Sequence, residues 1–574
     1  MKATEHTLRG GDGAELFYRA WLPPEKTDKA LLLFHRGHEH SGRWQETVEG
    51  LGLGKVAIFA WDARGHGHSS GERGAAASVA ELARDVESFV SHLAQEHGLA
   101  RENMIVLAHS LAAVTVTAWV HDYAPGIRAM ILVTPAFRVR LYVPFAVPAL
   151  RLKENVMGPG QVKSYVKAGM LTRDREEAAR YQADPMIFRQ IAVNLLLDLR
   201  DTARRLCADA GALHTPTLLL AAGRDWVVSL PEQRKFFDAL SSPIKEMQVY
   251  PRALHALFHD LDRSGVVERV RRFVQERFRE QATPLSLLTA DSTGHTFEEY
   301  RHLRNGNGGG LKFAVARAGL RIAGHLSAGV GVGWRSGFDS GLSLDYIYEN
   351  RARGSLGIGR LIDRAYLETI GWRGIRQRKV HLEKALRCLI EQVHAASGRV
   401  HILDIAAGPG RYVIETMADC SDKTISATLC DYREENVEAA RILARERKLA
   451  GVTAGKADAF DEEALARVRP RANIGIVSGL YELFASNEKV LRSLRGLAAA
   501  IEPDGFLIYT NQPWHPQVEF IARVLRNREG DPWVMRRRTT AEIDELVRAS
   551  GFEKMSMEID RWGMFTVSVA RRKR

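Results

Sequence analysis

The 574-residue sequence predicts an α/β protein with two domains, and three observations support this prediction. Short apolar runs of strand length alternate with helix-like segments in both halves of the chain. A serine, Ser110, follows one such run, and a loop of small residues, 404–410, follows another. Because domains usually hold about 100–200 residues, each half needs a hydrophobic core of its own.

The composition is that of an ordinary globular protein, with 45% hydrophobic and 26% charged residues. The four cysteines form no Cys-x-x-Cys pair, which argues against a zinc site or a disulfide framework and favours a reducing compartment. The N-terminus lacks the apolar core of a signal peptide, and no apolar run reaches the ~20 residues of a membrane-spanning helix. We therefore expect a cytoplasmic protein.

The formal net charge of +12 favours anionic partners. Positive charge is spread along the chain, with local clusters at 536–538 and 571–574. No helix-turn-helix or RNA-binding signature accompanies it, so we expect no nucleic-acid partner. A solvated basic surface and peripheral contact with an anionic membrane both remain open.

The first half, residues 14–280, predicts a parallel sheet buried on both faces. Its strand-length apolar runs lie at 30–34, 56–61, 104–108, 129–134 and 217–222. Segments 79–97 and 112–121 are typical of crossover helices. Segment 137–205 lacks strand runs and is rich in helix formers, which predicts a helical cap over an active site.

Ser110 lies in the segment 104–113 (MIVLAHSLAA), where a predicted strand ends and a helix begins. A nucleophilic serine needs such a turn, because there its hydroxyl clears the sheet edge and backbone amides face the developing oxyanion. Asp225 and His255 follow later, each after a further strand. This chain order is typical of serine hydrolases built on a parallel sheet.

Further stretches make most of residues 10–275 similar to the monoacylglycerol lipase and serine aminopeptidase branch of the α/β-hydrolases. They match the oxyanion loop, a second loop and the cap region of that family: 34–43 (FHRGHEHSGR), 62–71 (DARGHGHSSG), 171–174 (LTRD) and 181–185 (YQADP). The resemblance implies an α/β-hydrolase fold with a helical cap.

The same resemblance implies a role for each residue of the predicted site. Ser110 is the nucleophile, His255 the general base and Asp225 the residue that orients it. The oxyanion donors are the backbone amides of Gly37 and Leu111.

The sequence departs from this pattern at three positions. Ala108 and Ala112 replace the glycines that flank the serine, and Arg36 replaces the first glycine of the oxyanion loop. These departures keep open a catalytically silent binding module. His259 is a rival general base, but His255 holds the motif position.

Five histidines in the two loops raise the alternative of a metal cluster, although the resemblance explains them as loop structure and we expect no metal. They are His35, His38, His40, His66 and His68.

Segment 285–354 interrupts the alternation between a predicted hydrolase domain, 1–284, and a second domain, 355–574. The run 305–310 (NGNGGG) is the strongest break in the chain, and we place the domain boundary there. Segment 313–335 combines glycine-rich apolar character with scattered arginines. A linker, a membrane-surface helix and edge strands all remain open for it.

The second half has helical periodicity over 355–398 and then predicted strands at 400–405, 424–431, 474–478, 506–510 and 564–569. The loop 404–410 (DIAAGPG) resembles motif I of the class I S-adenosylmethionine-dependent methyltransferases, with Ala406 in place of the first glycine. The C-terminal helix, 540–550, and the two strands near it resemble the reversed hairpin that closes that family's sheet.

This second resemblance covers about 355–570 and implies a Rossmann-like sheet with a helical N-terminal extension, and S-adenosyl-L-methionine as cofactor. Small loop residues let the backbone approach the methionine part, an acid after the second strand accepts the ribose hydroxyls, and an acid–aromatic pair meets the adenine. The implied residues are Asp404, Ala406, Gly408, Gly410, Asp431, Asp458 and Phe460. A nucleotide-binding Rossmann domain is the alternative, which the lack of a G-x-G-x-x-G disfavours.

The loops 478–484 (SGLYELF) and 511–516 (NQPWHP) follow predicted strands and face the same crevice. Methyl transfer mainly needs in-line placement of the substrates, with a base only where the acceptor is protonated. Each candidate for acceptor binding has a structural role as its alternative; the candidates are Tyr481, Glu482, Asn511 and His515.

The sequence thus predicts a bifunctional enzyme, in which a serine ester hydrolase of lysophospholipase or monoacylglycerol lipase type is fused to a methyltransferase. By analogy it belongs to lipid metabolism. A small-molecule or lipid ester and an unidentified methyl acceptor are the expected partners. The alternatives are a methyltransferase with a silent hydrolase-fold module, and a peripheral membrane protein docked through 313–335.

Overall fold

The computed structural model describes residues 2–281, 285–306, 310–420 and 423–574. The chain divides into two compact units, Met1–Leu285 and Ser286–Arg574. Each unit has a large sheet of its own, flanked by helices, so the predicted α/β class with two domains is confirmed.

The strands of the first unit are β1 (Thr4–Arg9), β2 (Glu15–Trp21), β3 (Ala30–Phe34), β4 (Ala57–Trp61), β5 (Met104–His109), β6 (Ala129–Val133), β7 (Gln161–Lys163), β8 (Gln190–Ala192), β9 (Thr217–Ala222) and β10 (Lys245–Tyr250). Eight of them form one sheet in the order β1-β2-β4-β3-β5-β6-β9-β10. β1, β2 and β4 pair antiparallel, and the other neighbours pair parallel. The sequence pattern missed β1 and β10, which are edge strands with mixed exposure, and the antiparallel β2.

The helices of the first unit are α1 (Gln45–Leu51), α2 (Val79–His97), α3 (Leu111–Tyr123), α4 (Ala146–Met157), α5 (Ala168–Leu171), α6 (Arg175–Ala183), α7 (Val193–Ala208), α8 (Leu230–Ala239) and α9 (Arg263–Arg279). Helices α4 to α7 and the small β7–β8 sheet lie between β6 and β9 in the chain. Segment 137–205 is therefore a largely helical insertion between two central strands.

The strands of the second unit are β11 (Val400–Ile405), β12 (Ile425–Asp431), β13 (Val452–Lys456), β14 (Ala472–Val477), β15 (Ile501–Asn511), β16 (Phe552–Ile559) and β17 (Thr566–Arg572). They form a sheet in the order β13-β12-β11-β14-β15-β17-β16. All neighbours are parallel except those of β17, which inserts antiparallel between β15 and β16. This is the reversed hairpin that the sequence predicted.

The helices of the second unit are α10 (Ala290–Thr293), α11 (His295–Asn305), α12 (Leu311–Leu326), α13 (Ala328–Ser336), α14 (Gly341–Glu349), α15 (Leu356–Leu367), α16 (Ile370–Ser397), α17 (Arg411–Asp419), α18 (Glu434–Glu446), α19 (Glu462–Ala466), α20 (Asn487–Ala500), α21 (Val518–Val524) and α22 (Thr540–Ala549). The apolar faces of α16, α17 and α18 pack on one side of the sheet, and those of α19, α20 and α22 pack on the other. Helices α12 to α15 and α21 contribute to a separate apolar cluster.

The segment predicted as a linker or extension is helical in the described residues and belongs to the second unit. Part of the glycine-rich run at 305–310 lies outside the described residues, and the rest falls inside this unit rather than between the two units. Over 313–335 the chain forms α12 and α13, which excludes edge strands. Phe313 and Val330 are buried in a cluster with Trp372.

The arginine cluster at 536–538 is not the solvated charge that the sequence suggested. All three side chains are buried. Arg536 lies 2.9 Å from the Glu542 carboxylate, and Arg538 donates to the Tyr481 carbonyl over 2.7 Å. Part of the positive charge therefore stabilises the second unit from inside. Among the described residues, no helix is both long and apolar enough to cross a membrane.

Candidate active sites

Ser110 occupies a sharp turn between β5 and α3. Its backbone has a φ of +59° and a ψ of −112°, a conformation that residues with a side chain rarely adopt. The neighbouring strand holds the turn, because the Ser110 amide donates to the Val133 carbonyl over 2.9 Å. Ala136 donates in turn to the Ser110 carbonyl over 3.1 Å.

A continuous hydrogen-bond chain joins Ser110, His255 and Asp225. The Ser110 Oγ lies 2.8 Å from the His255 Nε2, and the His255 Nδ1 lies 2.8 Å from the Asp225 Oδ2. The other carboxylate oxygen of Asp225 accepts the amides of Val227 and Val228 over 2.7 and 2.9 Å. The three predicted side chains thus meet in the arrangement by which an imidazole activates a serine hydroxyl.

Two residues that the sequence did not indicate hold the backbone of His255. The His109 Nε2 and the Thr134 hydroxyl each donate to the His255 carbonyl over 3.1 Å. Burial holds the pKa of His109 well below its ordinary value, so this ring is neutral. His109 directly precedes Ser110, but its role depends on a contact with a residue far along the chain.

The Ser110–His255 pair opens on a cavity of about 420 Å³ beneath the cap. Gly37 and Leu111, whose amides are the predicted oxyanion donors, also line it. The rest of the lining is mainly apolar and includes Leu141, Val143, Leu150, Val162, Leu195 and Leu199. A cavity of this size and character fits an apolar ligand.

The departures from the family pattern leave the backbone of the site in ordinary conformations. Ala108, Ala112 and Arg36 all have negative φ values, so none of them needs a glycine. Arg36 is buried and donates to the Glu39 carboxylate over 2.7 Å. Although burial opposes its ionisation, Arg36 and other cations hold the pKa of Glu39 well below its ordinary value.

The rival base, His259, lies 3.3 Å from the Glu177 carboxylate. Three of the loop histidines make structural contacts. His35 bonds the Arg36 carbonyl, His40 pairs with Asp184, and the His66 ring bonds the Arg64 carbonyl.

In the second unit, the loop after β11 has three residues in the left-handed region. Ala406, Gly408 and Gly410 have φ values of +57°, +57° and +66°. A side chain at Gly410 would lie 2.5 Å from Leu429, so this position must stay small. All three residues line a cavity of about 60 Å³ at the carboxyl ends of the strands.

Asp431 ends β12 and lines the same cavity. Its carboxylate accepts the Gly408 amide, the Asn436 side-chain amide and the Arg433 amide, each over 2.9 Å. The buried Asp404 does not line the cavity; burial raises the pKa of this carboxyl well above its ordinary value, against the opposing effect of the Tyr412 hydroxyl.

The structure does not bring Asp458 and Phe460 to this cavity. Asp458 accepts the Phe460 amide over 2.9 Å. The Phe460 ring packs edge-on against Phe484 with centroids 4.5 Å apart, and the Lys489 ammonium lies 4.4 Å from the Phe460 centroid.

Helix α14 lies over the loop. A side chain at Gly341 would come within 2.9 Å of the Gly408 Cα, so the two backbones are in close approach. The Asp345 carboxylate accepts two bonds from the Arg411 guanidinium, over 2.6 and 2.8 Å. The loop amides and the Asp431 carboxylate suit a nucleoside-containing ligand chemically, but ligand sites usually hold ~300–1,000 Å³. In this conformation the cavity of about 60 Å³ holds only part of such a ligand, and α14 forms the wall over the loop.

The acceptor candidates fall into two pairs. Glu482 and His515 line a second, larger cavity of about 390 Å³. The Tyr481 hydroxyl instead donates to Ser493 over 3.1 Å, and the Asn511 side chain donates to the Arg538 carbonyl over 2.8 Å.

Arg378 also faces both cavities of this unit, although nothing in the sequence indicated it. It lies within the long helix α16, where a buried arginine resembles any other polar residue in a helical pattern.

Comparison with known proteins assigns both halves. A family model described as "Putative methyltransferase" matches residues 270–572, and one described as "Serine aminopeptidase, S33" matches 25–262. Uncharacterized protein YnbC of Escherichia coli K12 is 44% identical over 578 residues, covering 99% of this chain and 98% of its own. Monoacylglycerol lipase of Mycolicibacterium smegmatis is 27% identical over 268 residues, covering 46% of this chain and 95% of its own.

Among solved structures, the monoacylglycerol lipase of Paleococcus ferrophilus is 22% identical, with a TM-score of 0.41. It covers 48% of this chain and 100% of its own. The methyltransferase model spans more than half of the chain, and the similarity to YnbC spans almost all of it. The protein therefore belongs to the family described as "Putative methyltransferase" and carries a lipase-like α/β-hydrolase domain in its first half.

Proposed function

We propose that this chain is a bifunctional enzyme, a serine ester hydrolase joined to an S-adenosylmethionine-dependent methyltransferase. The observation that carries the proposal is the hydrogen-bond chain from Ser110 through His255 to Asp225 at the edge of an apolar cavity. Such a chain is expected where a serine hydroxyl must lose its proton to a neighbouring imidazole.

In the proposed reaction, His255 takes the Ser110 proton as the hydroxyl oxygen attacks an ester carbonyl. Asp225 keeps the imidazole in the tautomer that accepts this proton and stabilises the imidazolium that forms. The amides of Gly37 and Leu111 stabilise the oxyanion. His255 then returns the proton to the leaving alcohol, and water releases the acyl group by the same path.

The proposed ester substrate is a lipid of monoacylglycerol type. The apolar cavity of about 420 Å³ supports this choice, because it suits an acyl chain better than a charged substrate. The monoacylglycerol and monoglyceride lipases among the relatives support it too.

A fluorophosphonate tests the hydrolase, with intact-mass analysis as the readout. We expect one adduct on the wild-type protein and none on Ser110→Ala. If a folded wild-type protein forms no adduct yet still binds S-adenosylmethionine, the silent-module alternative replaces this half of the proposal.

For the methyltransferase, we propose that the loop from Ala406 to Gly410 holds the methionine part of the cofactor and that Asp431 holds its ribose. When bound, S-adenosylmethionine would supply an electrophilic methyl group. Asp404 would support the loop from beneath, while the adenine contacts of Asp458 and Phe460 stay predictions.

Calorimetric titration with S-adenosylmethionine tests this half. We expect Asp431→Ala to weaken binding at least tenfold, because a buried carboxylate that bonds two hydroxyls contributes more than ~1.4 kcal/mol. Asp461→Ala, which removes only the cap of α19, is the matched control. Asp458→Ala tests the adenine prediction. Equal affinity of wild type and Asp431→Ala would contradict the assignment.

A further inference from the structure

The larger cavity of the second unit has apolar walls. Its volume of about 390 Å³ lies within the range of ligand sites and gives room for on the order of a dozen methylene-sized groups. Side chains from four helices, α12, α15, α16 and α21, contribute apolar groups, among them Leu320, Ile362, Trp372, Ile375, Phe520 and Ile521. Such walls favour a hydrocarbon chain and disfavour a sugar, a nucleotide or a peptide backbone.

This cavity adjoins the smaller one, which is lined by the loop after β11. Five residues line both: Asp339, Leu344, Arg378, Gly479 and Leu483. The polar end of a molecule whose chain fills the larger cavity would therefore lie at this boundary. In-line transfer needs the donor and the acceptor atom to meet at such a place.

The boundary contains a buried cation, Arg378, which lies 5.4 Å from the Phe565 ring centroid and whose hydrogen bonding is incomplete. Arg378 is 2% exposed, and its Nε has no hydrogen-bond acceptor among the described residues. One Nη donates to the Tyr348 hydroxyl over 3.2 Å, and the other lies 3.6 Å from the Glu482 carboxylate. Because an incompletely paired buried guanidinium is unfavourable, an anionic oxygen placed here would be strongly attracted.

Glu482 lines the larger cavity, and its carboxylate lies 3.6 Å from the Arg378 guanidinium. Burial raises the pKa of its carboxyl above the ordinary value, against the opposing effect of Arg378. A carboxylate with a raised pKa takes a proton from an acidic hydroxyl more readily than an exposed one does.

We propose, on the basis of the methyltransferase function proposed above, that the methyl acceptor is a single-chain lipid with an acidic hydroxyl head, represented by a medium-chain fatty acid. The chain lies in the larger cavity, and the head lies between Arg378 and Glu482. The O–H proton passes to Glu482, and Arg378 stabilises the oxygen anion. An electron pair of that oxygen forms the O–CH3 bond while the electrons of the sulfonium C–S bond return to sulfur. The products are a methyl ester and S-adenosylhomocysteine.

The charges of the site disfavour other head groups. An alkylammonium would place a second cation beside Arg378; of the two nearby carboxyls, Glu482 already pairs with Arg378, and burial raises the pKa of Asp339 to about 6. An alkanol gives Glu482 a proton that is too weakly acidic and brings no anion of its own to the guanidinium. We therefore expect the site to prefer acids over alcohols and amines of the same chain length.

Calorimetric titration of the full chain with n-alkanoic acids of eight to fourteen carbons, without methyl donor, tests the site. In the wild type, affinity should rise about fourfold per added methylene until the cavity is filled. Because the cavity of the hydrolase domain is also apolar, the experiment needs a pair of matched variants that distinguish binding in the two cavities. Ala316→Trp fills the cavity from α12, whereas Ala318→Trp is exposed on the same helix and does not line it.

We expect Ala316→Trp to lose this binding component and Ala318→Trp to keep it. Arg378→Gln should bind acids and alcohols equally, a loss of at least tenfold in the acid preference. The wild-type comparison of acids with alkanols and alkylamines keeps the test decisive if a variant does not fold. Equal binding by the two tryptophan variants, or tighter binding of the alcohol or amine by the wild type, would overturn the proposal.

The same proteins titrated with S-adenosylmethionine separate the two proposals. Loss of acid binding with donor binding intact overturns only the acceptor assignment. Acid binding without donor binding overturns only the methyltransferase function.

Discussion

Ser110 stores strain in its backbone, since a φ of +59° is costly for any residue with a side chain. We expect the free energy of unfolding of Ser110→Gly to exceed that of Ser110→Ala by about 1 kcal/mol, because glycine adopts this conformation without the steric penalty. Urea unfolding of the first unit measures the difference. Both variants lack the hydroxyl, so equal stabilities would show that the turn is unstrained.

Asp339 couples the stability of the second unit to pH. Burial raises the pKa of its carboxyl from 3.8 to about 6. As the pH rises, the unfolded chain loses this proton at a lower pH than the folded chain does. The contribution of Asp339 to the free energy of unfolding is therefore fully present below pH 3.8 and is lost as the pH rises through 6.

We therefore expect Asp339→Asn to gain up to about 3 kcal/mol of unfolding free energy relative to wild type between pH 4 and pH 7. Urea titrations at both pH values give this difference. Asp531→Asn, at an exposed position, is the control. A difference that shrinks as the pH rises would show the opposite sign and contradict the assignment.

Site residues differed in how far the sequence could predict them. Ser110, Asp225 and His255 follow strand ends of a parallel sheet, so chain order alone brings them together. Tyr481 also follows a strand end, yet its side chain turns into the core, because the direction of a loop side chain depends on what packs against it. Arg378 had no local signal, since its role depends on two cavities formed by distant segments.

At the level of elements, the central strands were the most predictable part of the fold. The runs at 30–34 and 217–222 match β3 and β9, because a strand buried on both faces is apolar throughout. The helices α12 to α14 were not predictable, because their glycines weaken the helical signal and only contact with the later helices α15 and α16 fixes them.

Helix α14 lies over the loop after β11, and we expect it to limit access to that loop. We expect Asp345→Ala to increase the association rate constant of S-adenosylmethionine about fivefold, since it removes a paired contact worth about 1 kcal/mol. Stopped-flow fluorescence measures the rate. Asp419→Ala breaks an exposed pair elsewhere in the unit and should leave the rate unchanged. An unchanged rate in Asp345→Ala would mean that α14 is not the barrier.

The most exposed apolar side chains of the first unit lie in the cap, on helix α4 and just before it. Phe145, Leu152 and Val156 are 83, 65 and 74% exposed. We expect their combined replacement by serine to reduce cosedimentation with anionic vesicles at least tenfold.

The matched control for this vesicle experiment is serine replacement of Leu311, Val315 and Ile322 on α12, which are also exposed. A loss of binding only in this second variant would favour docking through the second unit instead.

At the scale of the whole molecule, the two sheets share no strand, and each unit has its own buried clusters. We expect residues 1–285 and 286–574 to fold when they are expressed separately. Circular dichroism would show a cooperative transition for each, and the first should keep the fluorophosphonate adduct. An unfolded second fragment would show that it needs the first.

The placement of α14 has a thermodynamic consequence for the second unit. Leu344 lies on this helix and lines both cavities, so a shift of α14 that enlarges the smaller cavity also moves a wall of the larger one. The second ligand then meets a helix that has already shifted. Linkage requires the effect to be reciprocal, so the donor and the acceptor strengthen each other's affinity by the same factor. We therefore expect positive cooperativity between the two proposed substrates of this unit.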